Sequence, residues 1–265
     1  DNQWRNFRWT TNFTYSWNKN EIIELAANAV NPVTGEALNL TKLDIKGLGK
    51  AKYILKEGGT LGDLYTTSNL RFNDNGYVEV DKNGNLLMTD EGEDIYLGSV
   101  FPNHNLAWRN DFSYKGINLG VLFTARLGGV CYSATQANLD LYGVSEASAA
   151  ARDAGGVLIN GREMVDAQKW YQAIGSQSGL PQYYLYSATN VRLQELSLGY
   201  TFPRKWFRNK LGLTVSFVGR NLWMIYCKAP FDPEAVASTG LNYQGIDYFM
   251  MPSMRNLGFN VKFQF

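Results

Sequence analysis

The sequence holds one histidine, two cysteines and seven prolines, and nowhere a run of about eighteen consecutive apolar residues. Each scarcity removes a class of function. A lone His104 excludes a His-rich zinc cage and a HExxH helix, so no metal and no cofactor are expected. Cys131 and Cys227 are too far apart for a CxxC motif. Without a long apolar run there is no spanning helix, but that test is blind to spanning strands, which are short and half apolar. An excess of one charge is missing too, because 25 Lys+Arg against 24 Asp+Glu leave a formal net charge of +1. Nucleic-acid affinity rests on clustered cations, so nucleic acid is not an expected partner. The opening Asp1-Asn2-Gln3-Trp4 lacks a Met, a basic segment and an apolar segment. No targeting signal is read there, and the chain is expected to be a piece of a longer protein.

What is present is period two. Aromatics make up 14% of the 265 residues and glycines number 26, a composition that suits strands and tight turns. From Phe7 to Trp17 the odd positions are Phe7, Trp9, Thr11, Phe13, Tyr15 and Trp17, and the even ones are polar. Leu257, Phe259, Val261, Phe263 and Phe265 alternate in the same way with Gly258, Asn260, Lys262 and Gln264, as do Leu211 to Phe217. One face of each segment is oily and the other wet. Two such segments sit back to back across Lys115-Gly116. In the segment from Asn190 to Phe202 the phase changes midway, which a β-bulge near Gln194-Glu195 reconciles.

The expected fold is all-β, a transmembrane antiparallel β-barrel segment of about seven strands. These lie near 5–17, 20–27, 104–115, 117–128, 190–202, 211–224 and 254–265. The second pairs with the first through Asn18-Lys19 and carries Ile23, Leu25 and Ala27 on one side. Long extracellular loops then cover 28–103, 129–189 and 225–253, while the other links are short. That asymmetry is the habit of outer-membrane barrels, which keep short turns on the periplasmic side. The first loop carries a hairpin stack between the type I′ turn signals Asn75-Gly76 and Asn83-Gly84, and the second carries helices at Val144–Asp153 and Arg162–Ile174.

At this point the residues resemble a known family. Asn190-Val191-Arg192-Leu193-Gln194-Glu195-Leu196-Ser197-Leu198-Gly199-Tyr200, then Val218-Gly219-Arg220-Asn221-Leu222, then Ala229-Pro230-Phe231-Asp232-Pro233-Glu234, and a last strand ending in Phe follow the order of that family. Gly58 to Tyr65 and Phe112 to Gly116 fit it as well. The series resembles the C-terminal part of the barrel of SusC/RagA-type TonB-dependent outer-membrane transporters. The resemblance implies an importer of glycans or peptides in the bacterial outer membrane, with no catalytic role. Its implied partners are an N-terminal plug and the remaining barrel strands, TonB acting through that missing part, a SusD-like surface lipoprotein as lid, and outer-membrane lipid.

On this reading Arg8, Asn118, Arg126, Arg220, Asn260 and Lys262 face the lumen, where they line the cargo path or hold the plug. The plainer reading is a solvated wall with plug salt bridges. Arg192 and Glu195 flank the bulge and are expected to pair across the wall. Phe231 and Asp232, between Pro230 and Pro233, and Glu234 just after them form a stiff loop that contacts the lid or serves only its own turn, and Asp63 and Tyr65 share that ambiguity. Trp17, Tyr114, Trp206, Phe207 and Trp223 suit interfacial girdles. Cys131 and Cys227 each follow an outward strand, so a disulfide across the rim is a candidate. Terminal Phe265 resembles the assembly signal read by the insertion machinery. The rival reading is a secreted all-β carbohydrate-binding or glycoside-hydrolase module, whose oily faces would pack inward.

Overall fold

The computed structural model describes residues 2–4, 7–26, 29–38, 40–89, 92–238, 240 and 243–265. Seven strands form one antiparallel sheet: β1 (Asn2–Trp4), β2 (Phe7–Trp17), β3 (His104–Tyr114), β4 (Ile117–Leu127), β5 (Asn190–Phe202), β6 (Gly212–Cys227) and β7 (Asn256–Gln264). Sheet order is chain order, so each strand pairs only with its neighbours in sequence. Tight links account for part of this meander. Between β3 and β4, Lys115 and Gly116 both take positive φ, 46° and 91°, and Tyr114 faces Ile117. Two left-handed residues match the right-handed twist of the flanking strands. The register slips between Leu193 and Glu195 in both pairings of β5, which leaves Gln194 as the extra residue of a bulge and restores the alternation beyond it.

One expected strand is absent. Residues 20–26 form no strand, and Ala27 lies outside the described residues. β2 pairs instead with β3, in unbroken register from Phe7–Tyr114 to Trp17–His104. An eleven-residue partner with matching alternation outcompetes a short segment interrupted by Glu21 and Glu24. The chain after Trp17 turns away from the sheet, with the Ile22 amide donating to Gly59 O at 2.8 Å. β2 therefore runs toward the long-loop end, opposite to the direction expected. Trp17 and Trp223 lie at that end, and Tyr114, Trp206 and Phe207 lie at the other.

Among the described residues, no second layer packs over the oily face of this sheet. Phe13 is 63% exposed, Leu198 55%, Phe259 82% and Phe265 97%. A polar side chain on that face is covered: Asn110, between Trp108 and Phe112, is buried and accepts from Trp9 Nε1 at 3.1 Å. The hydrophobic core lies wholly elsewhere. It gathers Tyr53, Leu64, Leu70 and Val100 from the first long connection, Tyr132, Ala137, Ile174 and Leu180 from the second, and Ile246 from the third. Each buried Leu, Ile or Val among them contributes roughly 1.5–3 kcal/mol on burial.

Around that core stand a four-stranded sheet (Lys42–Leu48, Ala51–Lys56, Asp63–Thr66, Ile95–Ser99) and a three-stranded one (Leu185–Ser187, Val130–Ser133, Ile246–Asp247). The second joins two connections, because Ile246–Asp247 pairs parallel to Tyr132–Ser133. Three helices, α1 (Ala134–Leu141), α2 (Glu146–Asp153) and α3 (Ala167–Gly175), begin at the caps Ser133, Ser145 and Asp166, each of whose side chains accepts a backbone N–H. α1 has no counterpart in the sequence reading. Glu163–Val165, expected to be helical, is a strand paired with Val157–Ile159. The hairpins after Asn73 and Asp81 turn with positive φ at Gly76 and Gly84 but not at Asn75 or Asn83, so they are not the type I′ turns expected.

The exposed oily face generates a test. Phe217, in β6 against Phe259, carries one ring of that face. In the full-length protein folded into lipid bilayers, Phe217→Arg should lower stability by about 2–4 kcal/mol in a denaturant titration. Equal stability of the two proteins would show that this face does not meet lipid.

Candidate functional site

Alternation decides where charge goes. In the six long strands every Lys, Arg, Asp and Glu, namely Arg8, Arg109, Asp111, Arg126, Arg192, Glu195, Arg220 and Lys262, falls on the wet face. Asn118 and Asn260 share it, and Asn118 Nδ2 donates to Gly116 O and to Thr201 Oγ1, which anchors the inner turn. At mid-height a ladder crosses four strands. Glu195 accepts from Arg109 Nη1 at 3.2 Å on one side and from Arg220 Nε at 3.0 Å on the other. Arg109 also forks onto Asp111 at 2.9 and 3.1 Å. Gly120 leaves room for this ladder, since a Cβ there would lie 2.5 Å from Ser197 Oγ and 2.9 Å from Asp111 Oδ1.

Arg192 does not pair with Glu195. The bulge leaves Glu195 level with Arg220, and Arg192 one step nearer the rim, level with Met224. There Arg192 meets the third connection. Its Nη1 and Nη2 donate to the two oxygens of Asp232 at 3.2 and 3.0 Å, Nη2 also reaches Glu234 Oε1 at 3.0 Å, and Nε donates to Asn190. The side chains of Arg192 and Asp232 are 6% and 8% exposed. Ser253 and the Glu234 amide complete the shell of Asp232. Burial by itself would raise the Asp232 carboxyl, but the hydrogen bonds from Arg192, Ser253 and the Glu234 N–H outweigh it and hold it below its ordinary range. Phe231 packs edge-on against Tyr186, 5.5 Å between centroids. The loop 228–255 is thus latched to the wall.

Two expected surface contacts are interior. Asp63 is buried and accepts from the Thr60 amide at 2.8 Å, closing its own turn. Tyr65 is buried against Tyr96, 5.3 Å between rings, with Lys56 over its face. Neither is presented to a lid. The rim disulfide is absent as well, because Cys131 and Cys227 are free thiols. Cys131 is enclosed in the three-stranded sheet, where burial, then Asp247, pushes its thiol up to about 12, and Cys227 Sγ is turned to the carbonyls of Ala229 and Phe231. Arg109 and Asp111 were missed from the sequence-based lumen set. Their alternation with Trp108 and Phe112 was the available signal.

Above the wet face, all three long connections converge on a cavity of about 240 Å3 beside Arg126 and Glu234. Gly245 permits the approach, since a Cβ there would stand 2.5 Å from Val100 Cγ1. A meander with lipid-compatible rings outside, all charge inside and a structured crown at one end is a stretch of a transmembrane-type β-barrel wall.

No family model matches the chain. In sequence it is 25% identical, over 289 aligned residues and 98% of its length, to TonB-dependent receptor P3 of Formosa agariphila. It is 21% identical to TonB-dependent receptor P39 of the same organism over 97% of its length. It spans only 27% and 28% of those two relatives. In fold it is similar to the RagAB peptide transporter, with a TM-score of 0.61 and 18% identity over 99% of this chain and 27% of the other. The RagAB peptide importer in its closed-closed state gives 0.61 and 20%, over 99% and 28%. In fold the chain is thus like part of the barrel of these solved transporters, and in sequence it is similar to part of the TonB-dependent receptors.

The latch predicts a pH and mutational response. Folding lowers Asp232, so its contribution is complete above about pH 4 and falls away as pH drops through the lower folded value. In the full-length protein, amide protection across 228–255 should weaken on acidification below that range. Arg192→Met should remove it at neutral pH, because a buried carboxylate left alone costs about 3–5 kcal/mol. Unchanged hydrogen exchange in the variant would refute the latch.

Proposed function

We propose that this chain forms part of the wall and the outer mouth of a TonB-dependent importer in the bacterial outer membrane. The observation that carries this reading is the exposed oily face of the seven-stranded sheet, set against a dry core confined to the long connections. A secreted module would bury that face under a second layer. Both edges of the sheet, β1 and β7, lack a partner strand among the described residues. Unsatisfied backbone groups in hydrocarbon cost several kcal/mol each, so further strands of the same transporter complete the barrel.

In this reading the ladder at Glu195 and the wet-face residues Arg8, Asn118, Arg126, Arg220, Asn260 and Lys262 line the passage and hold a plug. TonB moves that plug through a part of the transporter outside this chain. The crown of long connections receives a SusD-like lipoprotein lid, and Phe265, fully exposed beyond β7, serves as the assembly signal. The similar solved structures are of a peptide importer, which favours peptide over glycan as cargo.

Cell fractionation tests the proposal. The full-length protein should stay in the envelope until detergent is added and should import a labelled peptide mixture in a manner abolished by a protonophore. Recovery as a soluble protein without detergent would overturn it.

A further inference from the structure

The cavity at the mouth carries a more specific inference, which rests on the importer reading. Its volume, about 240 Å3, falls below the roughly 300–1,000 Å3 of a site for a whole small molecule and suits one residue of a longer ligand. Val100, Phe101, Pro102 and Val236 give it an apolar wall, and Arg126 and Glu234 give it a polar edge.

The two arginines near this edge are in different states. Arg192 is buried and fully engaged by Asp232, Glu234 and Asn190. Arg126 has a half-exposed side chain, and its ion-pair neighbour Glu234 Oε2 lies 3.7 Å away, beyond the roughly 2.7–3.2 Å of an N–H to oxygen hydrogen bond. A guanidinium holds five N–H donors in a fixed fork, so those of Arg126 stand open to a ligand acceptor. Glu234 offers the complementary acceptor beside it.

Charge selects the ligand. Arg126 and Arg192 balance Asp232 and Glu234, so the cluster is neutral as it stands. An added carboxylate would compete with Glu234 for Arg126, and an added cation would compete with Arg126 for Glu234. A neutral group with an acceptor and a donor side by side meets neither penalty, and a peptide unit is such a group. Its carbonyl accepts from Arg126 and its N–H donates to Glu234, while the attached side chain enters the apolar wall. A sugar ring would need a flat aromatic platform, and this wall is mostly aliphatic, with Phe101 its one ring.

We propose that this cavity is a cargo subsite that takes one residue of an imported peptide, holding its main chain between Arg126 and Glu234 and its aliphatic side chain against Val100, Pro102 and Val236. The site selects uncharged, apolar residues at that point of the cargo.

The test uses the purified full-length transporter in detergent and three probes: N-acetyl-Gly-Leu-Gly-amide, N-acetyl-Gly-Gly-Gly-amide and maltotriose, titrated by calorimetry. The leucine peptide should bind about tenfold more tightly than the glycine peptide, the free energy of burying part of one aliphatic side chain. Arg126→Met should weaken it about tenfold, the loss of one charge-assisted hydrogen bond. Val236→Trp should fill the cavity and abolish the preference for leucine, and heat-modifiable electrophoretic mobility checks that each variant is folded. Equal binding of the two peptides, an unaffected variant pair, or tighter binding of maltotriose overturns the subsite. If protonophore-sensitive peptide uptake persists alongside any of those results, the importer reading stands and only the subsite falls. If the unmodified transporter shows no such uptake, the importer reading itself fails.

Discussion

The whole arrangement depends on a sheet that buries no face of its own. The strands of the meander are hydrogen-bonded to their neighbours, yet Phe13, Leu198, Phe217 and Phe259 project away from the protein. In water such a ribbon would lose the hydrophobic term that normally offsets the entropy of ordering a chain. In a bilayer the solvent supplies the second layer. The sheet and its medium form one structural unit, and the charged face has to look the other way.

The long connections obey the opposite rule. They stand in water and therefore need a dry interior, which they assemble jointly from three separate stretches of chain. The parallel pairing of Ile246–Asp247 with Tyr132–Ser133 and the buried bond from Ser133 Oγ to Asp247 at 2.6 Å join the second and third stretches. Polar bonds tie this body to the sheet. Arg192 supplies several of them, a charge from the wall buried against the third connection. A pair of this kind adds modest net stability but great geometric definition, because two forked groups meet in few orientations.

Much of the sheet was legible in the sequence because its rule is local. Period two gives face, a two-residue Lys-Gly turn gives pairing, and a phase change within Asn190–Phe202 gives the bulge at Gln194. The segment 20–27 misled because a short alternation near a polar turn looks like a hairpin arm, and only the competition with β3 shows that it is not. The crown was less legible. Whether Asp63 and Tyr65 are inside or outside depends on residues far away in sequence, and α1 owes its place to the Ser133 cap and to packing on α3 rather than to a strong pattern of its own. For the wet face, the sequence told which way each side chain points but not which partner it meets. Arg192 and Glu195 lie three apart in sequence and share a face, yet strand register sends one to the rim and the other to mid-height.

That division has a functional consequence. The mid-height ladder is joined internally, since Glu195 is shared by two arginines and Arg109 is also held by Asp111, while the Arg220 side chain stays 66% exposed. The mouth is built otherwise. There one arginine is spent on holding the crown and a second is left loosely paired beside an apolar recess. A wall cross-linked at its middle and loosely paired at its rim leaves the rim arginine accessible without breaking the contacts that join the strands at mid-height. The separation follows from the bulge, because were Gln194 paired as an ordinary strand residue, Glu195 would fall on the oily face and the arginines of the ladder would lose the group that joins them.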